Sequence, residues 1–501
     1  KTSSTDKDAS SAFLKYADFS HYADYFNGME DENIVQAIPN AKASEWMEEN
    51  IPLFECPQHN FEEMYYYRWW SLRKHIKETP VGYGMTEFLV QRSYSDKYNL
   101  IACAIGHHIY ESRWLRDPKY LDQIIHTWYR GNDGGPMKKM DKFSSWNADA
   151  VLARYMVDGD KDYLLDMKKD LETEYQRWER TNRLKNGLYW QGDVQDGMEE
   201  SISGGRRKKY ARPTINSYMY GNAKALSCIG ILSGDEGMAM KYGMRADTLK
   251  NLVENELWNT RHQFFETMRT DSSANVREAI GYIPWYFNLP DTTQKYEIAW
   301  KEIMDEKGFS APYGLTTAER RHPEFRTRGV GKCEWDGAIW PFASAQTLTA
   351  MANFMNNYPQ TVLSDSVYFR QMELYVESQY HRGRPYIGEY LDEVTGYWLK
   401  GDQERSRYYN HSTFNDLIIT GLIGLRPRLD NTIEVNPLIP ADKWDWFCLD
   451  NVLYHGHNLT ILWDKNGDRY HCGKGLRIFV DGKEVGQANT LTKIVCENAL
   501  K

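Results

Sequence analysis

FSSWNADAVLARYMVDGDKDYLLDMKKDLETEYQRWERT, residues 143–181, has the pattern of two helices joined by a tight turn. Apolar side chains recur every three or four residues on both sides of the turn, which is the spacing of a helix with one buried face. Two later stretches repeat this pattern, INSYMYGNAKALSCIGILSG at 215–234 and GMAMKYGMRADTLKNLVENELW at 237–258. The unit that decides the fold is therefore a pair of helices.

The alternation of helix and loop continues over most of the chain. It begins with SEWMEENIPLF at 44–54 and FEEMYYYRWWSLRKHI at 61–76, both predicted as amphipathic helices, and it ends near Arg426. Paired helices without a strand-rich stretch indicate a closed toroid or a solenoid of helical hairpins. No fixed sequence period occurs, which disfavours a repeat solenoid. We therefore predict a mainly α toroid over residues 45–428.

The sequence changes character after Leu429. Short β-branched segments such as HNLTILWD at 457–464 and GLRIFVDG at 475–482 are separated by turn-forming pairs. This pattern predicts antiparallel strands. We therefore expect a small C-terminal β domain over 429–501, and an N-terminal extension of partly irregular structure over residues 1–44.

Composition narrows the classes of function. The chain has 501 residues, with 17 Trp and 35 Tyr. Its net charge of -9 argues against nucleic acid and against anionic membranes as partners. Flat aromatic rings cover the C–H face of a sugar, so a carbohydrate is the expected partner, and no protein partner is implied. The seven cysteines form no C-x-x-C pair, and neither a disulfide framework nor a zinc site is predicted. The chain begins at Lys1; a removed export signal or a trimmed chain explains this equally, so we expect export without excluding the cytoplasm.

The stretch that follows the helix pair at 143–181 contains several carboxylates. GLYWQGDVQDGMEESISGG, residues 187–205, contains Asp193, Asp196, Glu199 and Glu200 and shows no helical period in its first half. Carboxylates crowded on one loop raise one another's pKa, as a general acid working near neutral pH requires. A solvated acidic loop is the alternative, and the aromatic residues that flank the loop favour the catalytic interpretation.

Three further segments combine acids or a base with aromatic residues: YYYRWW at 65–70, CEWDGAIWPF at 333–342 and YIGEYLDEVTGYWLKGD at 386–402. In a toroid of helical hairpins, such loops converge at one face. A glycosidase uses two carboxylates that face each other across a pocket, and distant loops can supply them. The turn VDGDKDY at 157–163 has the aspartates of a calcium loop but lacks its final glutamate, so no metal site is predicted.

The order of these motifs resembles that of a known enzyme group. QDGMEESISG at 195–204 is similar to a loop E-S-G-M-D-N-S, Trp335–Pro341 to W-R-G-P-V-W-P, and Ile387–Gly396 to Y-E-N-Y-N-P-E-T-G. These are motifs of the (α/α)6-barrel glycoside hydrolases of families 63 and 37 (trehalase), including relatives of mannosylglycerate-hydrolase type. The resemblance extends in order from Phe61 to Leu425.

The resemblance implies an (α/α)6 toroid and an exo-acting, inverting, α-glucosidase-like hydrolase that needs no cofactor. It places Glu199 at the catalytic acid and Glu389 at the base. Because the group has aspartate at the acid, Asp196 remains the second candidate for that role. Asp336 stands where the group has arginine, which indicates an altered sugar preference. The residues expected to contact the sugar are Tyr67, Arg68, Trp69, Trp146, Trp190, Asn216, Trp335, Asp336, Trp340 and Trp398.

Two other functions stay open at this point. A polysaccharide lyase on the same toroid would need a basic cleft, and the run Arg206, Arg207, Lys208 and Lys209 is compatible with one. A glycan-binding protein without catalysis is compatible with the glutamate that replaces the group's aspartate at the acid.

Overall fold

The computed structural model describes residues 13–501 and consists of a helical ring and a β-sheet. The α-helices in that range are α1 Ser20–Asn27, α2 Ala43–Asn50, α3 His59–Arg73, α4 Ile105–Ser112, α5 Lys119–Arg130, α6 Asn147–Asp158, α7 Lys161–Asp166, α8 Lys168–Asn182, α9 Pro213–Ser233, α10 Glu236–Leu252, α11 Ile283–Tyr286, α12 Gln294–Glu297, α13 Pro341–Asn357, α14 Asp365–Ser378 and α15 Asn415–Leu417. The strands are β1 Leu53–Glu55, β2 Ile76–Thr79, β3 Gly82–Met85, β4 Trp190–Gln191, β5 Tyr210–Ala211, β6 Trp258–Asn259, β7 Phe264–Phe265, β8 Ser310–Ala311, β9 Gly314–Leu315, β10 Tyr380–His381, β11 Arg384–Pro385, β12 Ile433–Val435, β13 Trp446–Tyr454, β14 His457–Asp464, β15 Gly475–Val480, β16 Lys483–Ala488 and β17 Ile494–Cys496.

Six helices form a closed inner ring. Helices α4, α6, α9, α11, α13 and α15 contact one another in that order, and α15 contacts α4. Along the chain they alternate with α3, α5, α8, α10, α12 and α14, of which α10 packs on α9, α14 on α13 and α3 on α15. This alternation of inner and outer helices is an (α/α)6 toroid, and the predicted fold class is confirmed.

The burial of the helices follows their place in the ring. On the inner helix α9, every residue from Pro213 to Ala223 is buried, and the helix ends at Gly234 in the left-handed conformation (φ 73°). On the outer helix α8, Leu171, Tyr175 and Trp178 are buried at helical spacing while the opposite face is solvated. No helix within residues 13–501 is long and apolar enough to cross a membrane.

The C-terminal strands form the predicted antiparallel sheet, with one unexpected member. Its order is β1-β13-β14-β15-β16, and β1 is contributed by a segment that precedes the ring. Leu53 of β1 pairs with Asp450 of β13. The prediction of a helix over 44–54 is therefore wrong at its end, because α2 stops at Asn50 and the chain then joins the sheet. The domain boundaries at 44 and 428 remain predictions.

The long connections all lead from an outer helix into the next inner helix. Because inner and outer helices alternate, these connections lie at the same end of the ring. They span residues 74–104, 131–146, 183–212, 253–282, 298–340 and 379–414. The acidic loop and both acidic-aromatic segments after it belong to this set, so the fold delivers them to one mouth.

Candidate active site

The acidic loop at 183–212 is held at its base by a short hairpin and by one amide. Strand β4 pairs with β5, and the Asn216 side chain on α9 bonds the Tyr189 backbone in both directions. Its Oδ1 accepts from Tyr189 N at 2.8 Å, and its Nδ2 donates to Tyr189 O at 2.9 Å. Asn216 is fully buried. The structure thus corrects its expected contact with sugar hydroxyls, since its hydrogen bonds fix the loop to the ring.

Asp196 lies under the loop and is bonded on both oxygens. Oδ2 accepts from Arg212 Nε at 2.7 Å and from Thr214 Oγ1 at 2.6 Å, while Oδ1 accepts from Ser144 Oγ at 2.5 Å. The side chains of Asp196 and Arg212 are both fully buried. Burial raises the pKa of Asp196, and Arg212 opposes that shift. A carboxylate enclosed in this way cannot reach a leaving group, so the geometry disfavours Asp196 as the substitute acid.

Glu199 has the environment of a general acid. The loop turns at Gly197 in the left-handed conformation (φ 72°), just before this residue. Burial, followed by the negative charges of Glu389 and Asp193, raises the pKa of Glu199 to about 7. The neighbouring Glu200 forms an ion pair with Arg206. Glu199 can therefore carry a proton near neutral pH.

Glu389 reaches the same place from the loop at 379–414. It is buried, and its Oε2 accepts no hydrogen bond from the part of the chain that the structure describes. Arg405 Nη1 lies 3.4 Å from this oxygen, and Cys333 Sγ lies 3.9 Å from Oε1. Burial raises the pKa of Glu389, but the positive charges of Lys400, Arg405 and Arg92 oppose that shift. These three cations thus favour the ionised form of this carboxyl.

A third carboxyl, which the sequence analysis missed, lies beside the pair. Glu87 comes from the loop at 74–104, and its Oε1 lies 3.6 Å from Cys103 Sγ and 3.9 Å from His411 Nδ1. Burial and the charges of Glu389 and Glu199 raise its pKa well above the ordinary value. A single glutamate between apolar neighbours carries no sequence signal. Only its position in a loop that leads into the ring could have indicated it.

Aromatic rings stack beside Glu389. Trp340 lies between Trp335 and Tyr390, with ring centroids 4.5 Å away on each side and nearly parallel planes. Trp340 is thus covered by its stacking partners, and its role as a sugar platform remains a prediction. Trp335 is as buried as Trp340, and its Nε1 has no partner within residues 13–501. Contact between Trp335 and a sugar likewise remains a prediction.

The remaining predicted tryptophans differ in exposure. Trp69, Trp146 and Trp398 are fully buried. Trp146 Nε1 donates to Tyr286 OH, and Trp398 Nε1 donates to Tyr380 O, so these rings belong to the core of the ring and its loops. Contact between these three rings and a substrate remains a prediction. Trp190 is half-buried on β4, and the Lys209 ammonium lies 4.5 Å from its ring centroid; its contact with substrate remains a prediction.

The predicted polar contacts hold loops in place. Arg68 donates to Gln379 Oε1 at 2.8 Å and to Ser412 Oγ at 2.8 Å, and so ties α3 to the loop that carries Glu389. Asp336 Oδ2 accepts the backbone N–H groups of Arg328 and Gly329. Both side chains are buried, and Asp336 Oδ1 has no partner within residues 13–501. Their bonds to sugar hydroxyls remain a prediction.

Tyr67 contacts a different space from the carboxyl pair. It lines a cavity of about 520 Å³ together with Tyr386, Tyr408, His381 and Asp402. The cavity shares the loop at 379–414 with Glu389. Contact between Tyr67 and substrate remains a prediction.

Comparison with known proteins agrees with this geometry. A model of the mannosylglycerate hydrolase MGH1-like glycoside hydrolase domain matches residues 97–412, and one of the C-terminal domain of glycosyl hydrolase family 65 matches residues 425–486. A solved chain named "Sialidase" is 95% identical with a TM-score of 0.98; the match covers 99% of this chain but 46% of that one, so this chain spans less than half of its relative.

Two distant structures share the fold. The GH63 mannosylglycerate hydrolase of Thermus thermophilus, in complex with glucose, is 12% identical with a TM-score of 0.54, over 71% of this chain and 99% of that one. The GH78 rhamnosidase of a Bacillus species is 10% identical with a TM-score of 0.59, over 86% of this chain and 41% of that one. The resemblance drawn from the motifs is confirmed. Because the glycoside hydrolase domain model matches more than half of the chain, the chain belongs to the MGH1-like glycoside hydrolases.

Proposed function

We propose that this glycoside hydrolase acts on the end of a glycan or on a small glycoside with inversion of configuration, using Glu199 as acid and Glu389 as base. The observation that carries the proposal is the electrostatic asymmetry of the two carboxyls. Both lie in loops at the mouth of the ring, and the largest charge effects on Glu199 come from Glu389 and Asp193, whereas those on Glu389 come from the cations Lys400, Arg405 and Arg92. Paired carboxyls whose environments differ in this way take acid and base roles.

Glu199 protonates the oxygen of the leaving group. A pKa of about 7 keeps a large share of this carboxyl protonated in neutral solution and still lets it release the proton as the glycosidic bond breaks. After the step its negative charge lies in the field of Asp193 and Glu389, which favours reprotonation from solvent.

Glu389 removes a proton from the attacking water. Its free Oε2 can accept the hydrogen bond of a water, and the nearby Arg405 stabilises the carboxylate form. Water that attacks from the face opposite the leaving group gives a product of inverted configuration. Such a mechanism requires the two carboxyls to be roughly 6.5–9.5 Å apart, against about 5–5.5 Å in a retaining enzyme.

Several sugars are candidates for the substrate. The names of the similar structures include a mannosylglycerate hydrolase, a rhamnosidase and a sialidase, and the motifs imply α-glucosidase-like specificity. A panel of α-glucosides, α-mannosides, α-rhamnosides, uronides and sialosides therefore spans the candidates.

Proton NMR of the first-formed sugar tests the mechanism. We expect the anomer opposite to that of the substrate, before mutarotation mixes the two forms. The Glu199→Gln variant is the matched control, because its amide keeps the shape of the side chain but cannot donate the catalytic proton. A product of retained configuration, or full turnover by Glu199→Gln, would remove the proposed roles.

A further inference from the structure

The cavity that Tyr67 lines is separate from the carboxyl pair. Its lining residues belong to the outer helix α3, to the hairpin β10–β11, to the stretch 401–408 and to the segment at 29–30. Among the described residues, no inner helix of the ring and no part of the acid loop at 183–212 contributes to this lining. Its volume of about 520 Å³ lies in the range of pockets that bind small molecules.

One polar atom of the lining has no partner. Tyr67 is fully buried, and its hydroxyl makes no hydrogen bond within residues 13–501. Phe26 and Trp70 hold its ring in place, with ring centroids 5.3 and 5.8 Å away. A buried hydroxyl without a partner carries a desolvation cost, which a hydrogen-bonding ligand in the cavity would offset.

Two further tyrosines present fixed aromatic surface to the cavity. Tyr386 is half-buried, and its hydroxyl lies 3.0 Å from Gly401 O and 3.2 Å from Ser406 O. Tyr408 is also half-buried, and its hydroxyl donates to Glu30. Side chains that are already fixed lose little freedom when a ligand packs against them. Aromatic rings of this kind suit the C–H face of a sugar.

The charged side chains around the cavity are already matched. Arg382 Nη2 lies 2.9 Å from Asp402 Oδ1, and Arg407 Nη1 lies 2.8 Å from Glu30 Oε2. Arg384 donates to a backbone carbonyl. A charged ligand would compete with these contacts, whereas a neutral ligand leaves them intact. The lining therefore favours an uncharged ligand that carries hydroxyls.

From these contacts we infer a second carbohydrate-binding site, in which Tyr386 and Tyr408 pack against a neutral sugar unit and the Tyr67 hydroxyl bonds one of its hydroxyls. The inference goes beyond the proposed function, because it does not depend on the roles of the two catalytic glutamates. Tyr386 is three residues before Glu389, and three residues of chain span at most roughly 11 Å. A glycan whose end lies at the mouth can thus place another of its sugars in this cavity.

A cleft that holds only water is the alternative. Ordered water would also satisfy the Tyr67 hydroxyl. It predicts, however, that a sugar binds at the mouth of the ring or not at all, so that changes in the cavity leave sugar binding unaffected. The two interpretations therefore differ in where a bound sugar depends on the protein.

Saturation-transfer difference NMR of the full chain carrying Glu199→Gln tests binding without turnover. The probes are D-glucose, D-mannose and L-rhamnose, which are neutral and differ in the orientation of their hydroxyls. We expect at least one of them to give a signal. An excess of inorganic phosphate should leave this signal unchanged, because the cations of the cavity are already paired.

Two variants assign the signal to the cavity. Tyr67→Phe removes only the hydroxyl and should weaken the affinity about threefold to tenfold, as expected for one hydrogen bond. Met29→Trp places a larger side chain at the half-buried wall of the cavity and should abolish the signal. Tyr65→Phe is the matched control, because Tyr65 is buried on the same helix but donates to Pro52 O at 2.8 Å; it should leave binding unchanged.

Three results would overturn the inference. A signal from none of the three sugars removes the site, and a signal that survives Met29→Trp places the sugar at the mouth alone. Displacement of the sugar by phosphate would show that the cavity selects an anion.

Turnover separates this inference from the proposed function. With Glu199 intact, Met29→Trp should leave kcat/KM for an aryl glycoside unchanged, because the cavity and the carboxyl pair have different lining residues. A loss of turnover in this variant would make the cavity part of the active site and overturn a second site. Sugar binding that depends on Tyr67 in a chain without turnover would keep the second site and remove the proposed function.

Discussion

Asp196→Asn should mainly lower stability and Glu199→Gln should mainly lower turnover, although the two residues are only three positions apart in the sequence. The first change removes the charge that balances Arg212, whose side chain is fully buried at 2.7 Å from Asp196 Oδ2. It also turns an acceptor of three hydrogen bonds into an amide that satisfies fewer of them. The second change alters a carboxyl whose like-charged neighbours disfavour its ionised form.

The magnitudes follow from burial. Breaking a buried ion pair while leaving one charge in place costs about 3–5 kcal/mol, so Asp196→Asn should lose stability on that scale. Glu199→Gln should cost no more than about 1 kcal/mol, since Glu199 forms no ion pair within residues 13–501, whereas its neighbour Glu200 pairs with Arg206. In turnover, removal of a general acid costs about 10²–10⁴-fold.

Urea denaturation followed by circular dichroism measures the difference in stability between the two variants. Kinetics on substrates with two different leaving groups measure the difference in turnover. A glycoside with an acidic leaving group needs little protonation, so Glu199→Gln should retain much more activity on it than on a natural aglycone. The opposite pattern, a stable and inactive Asp196→Asn beside an active Glu199→Gln, would transfer the acid role to Asp196 and refute the reasoning from burial.

Three further outcomes follow from the same contacts. Activity should decline above about pH 7 as the Glu199 carboxyl ionises, which a profile of kcat/KM against pH would show. Arg405→Met removes the cation 3.4 Å from Glu389, so the pKa of the base should rise and the acidic limb of that profile should move to higher pH; an unmoved limb would contradict this. Trp340→Ala should lower the free energy of unfolding by about 3–5 kcal/mol, because it empties the space between two stacked rings; a loss below about 1 kcal/mol in urea denaturation would show that the stack is not tightly packed.

The ring could be predicted, and the catalytic pair could be proposed, because their signals are local. Helical spacing of apolar residues needs no knowledge of the partner helix, and α8 shows the expected stripe at Leu171, Tyr175 and Trp178. Glu199 and Glu389 each stand in a loop whose residue order is distinctive. Their mutual position follows from ring closure, which the alternation of helices implies.

The parts that could not be predicted depend on contacts between distant segments. Strand β1 forms because Leu53 meets Asp450, and nothing in residues 44–54 indicates that partner. The resemblance to the enzyme group placed Trp146 among the residues expected to contact the sugar, yet Tyr286 and Tyr218 contact its ring. In the sequence, Asp196 belongs to an acidic cluster. In the structure, it forms an ion pair with Arg212, and both side chains are fully buried.

The proposed roles of the two glutamates depend on the charges that surround each of them. Glu389 is buried and Glu199 is half-buried, and withdrawal from water alone would raise both pKa values together. The difference comes from the charges near each carboxyl: Glu389 and Asp193 add negative charge near Glu199, while Lys400, Arg405 and Arg92 add positive charge near Glu389. Glu389 thus supports the proposed acid role of Glu199. A variant that neutralises Glu389 should consequently lower the pKa of Glu199 as well as remove the base, and carbon-13 NMR titration of the labelled Glu199 carboxyl in Glu389→Gln would detect that fall. An unchanged titration would show that the two groups lie too far apart to act as a pair.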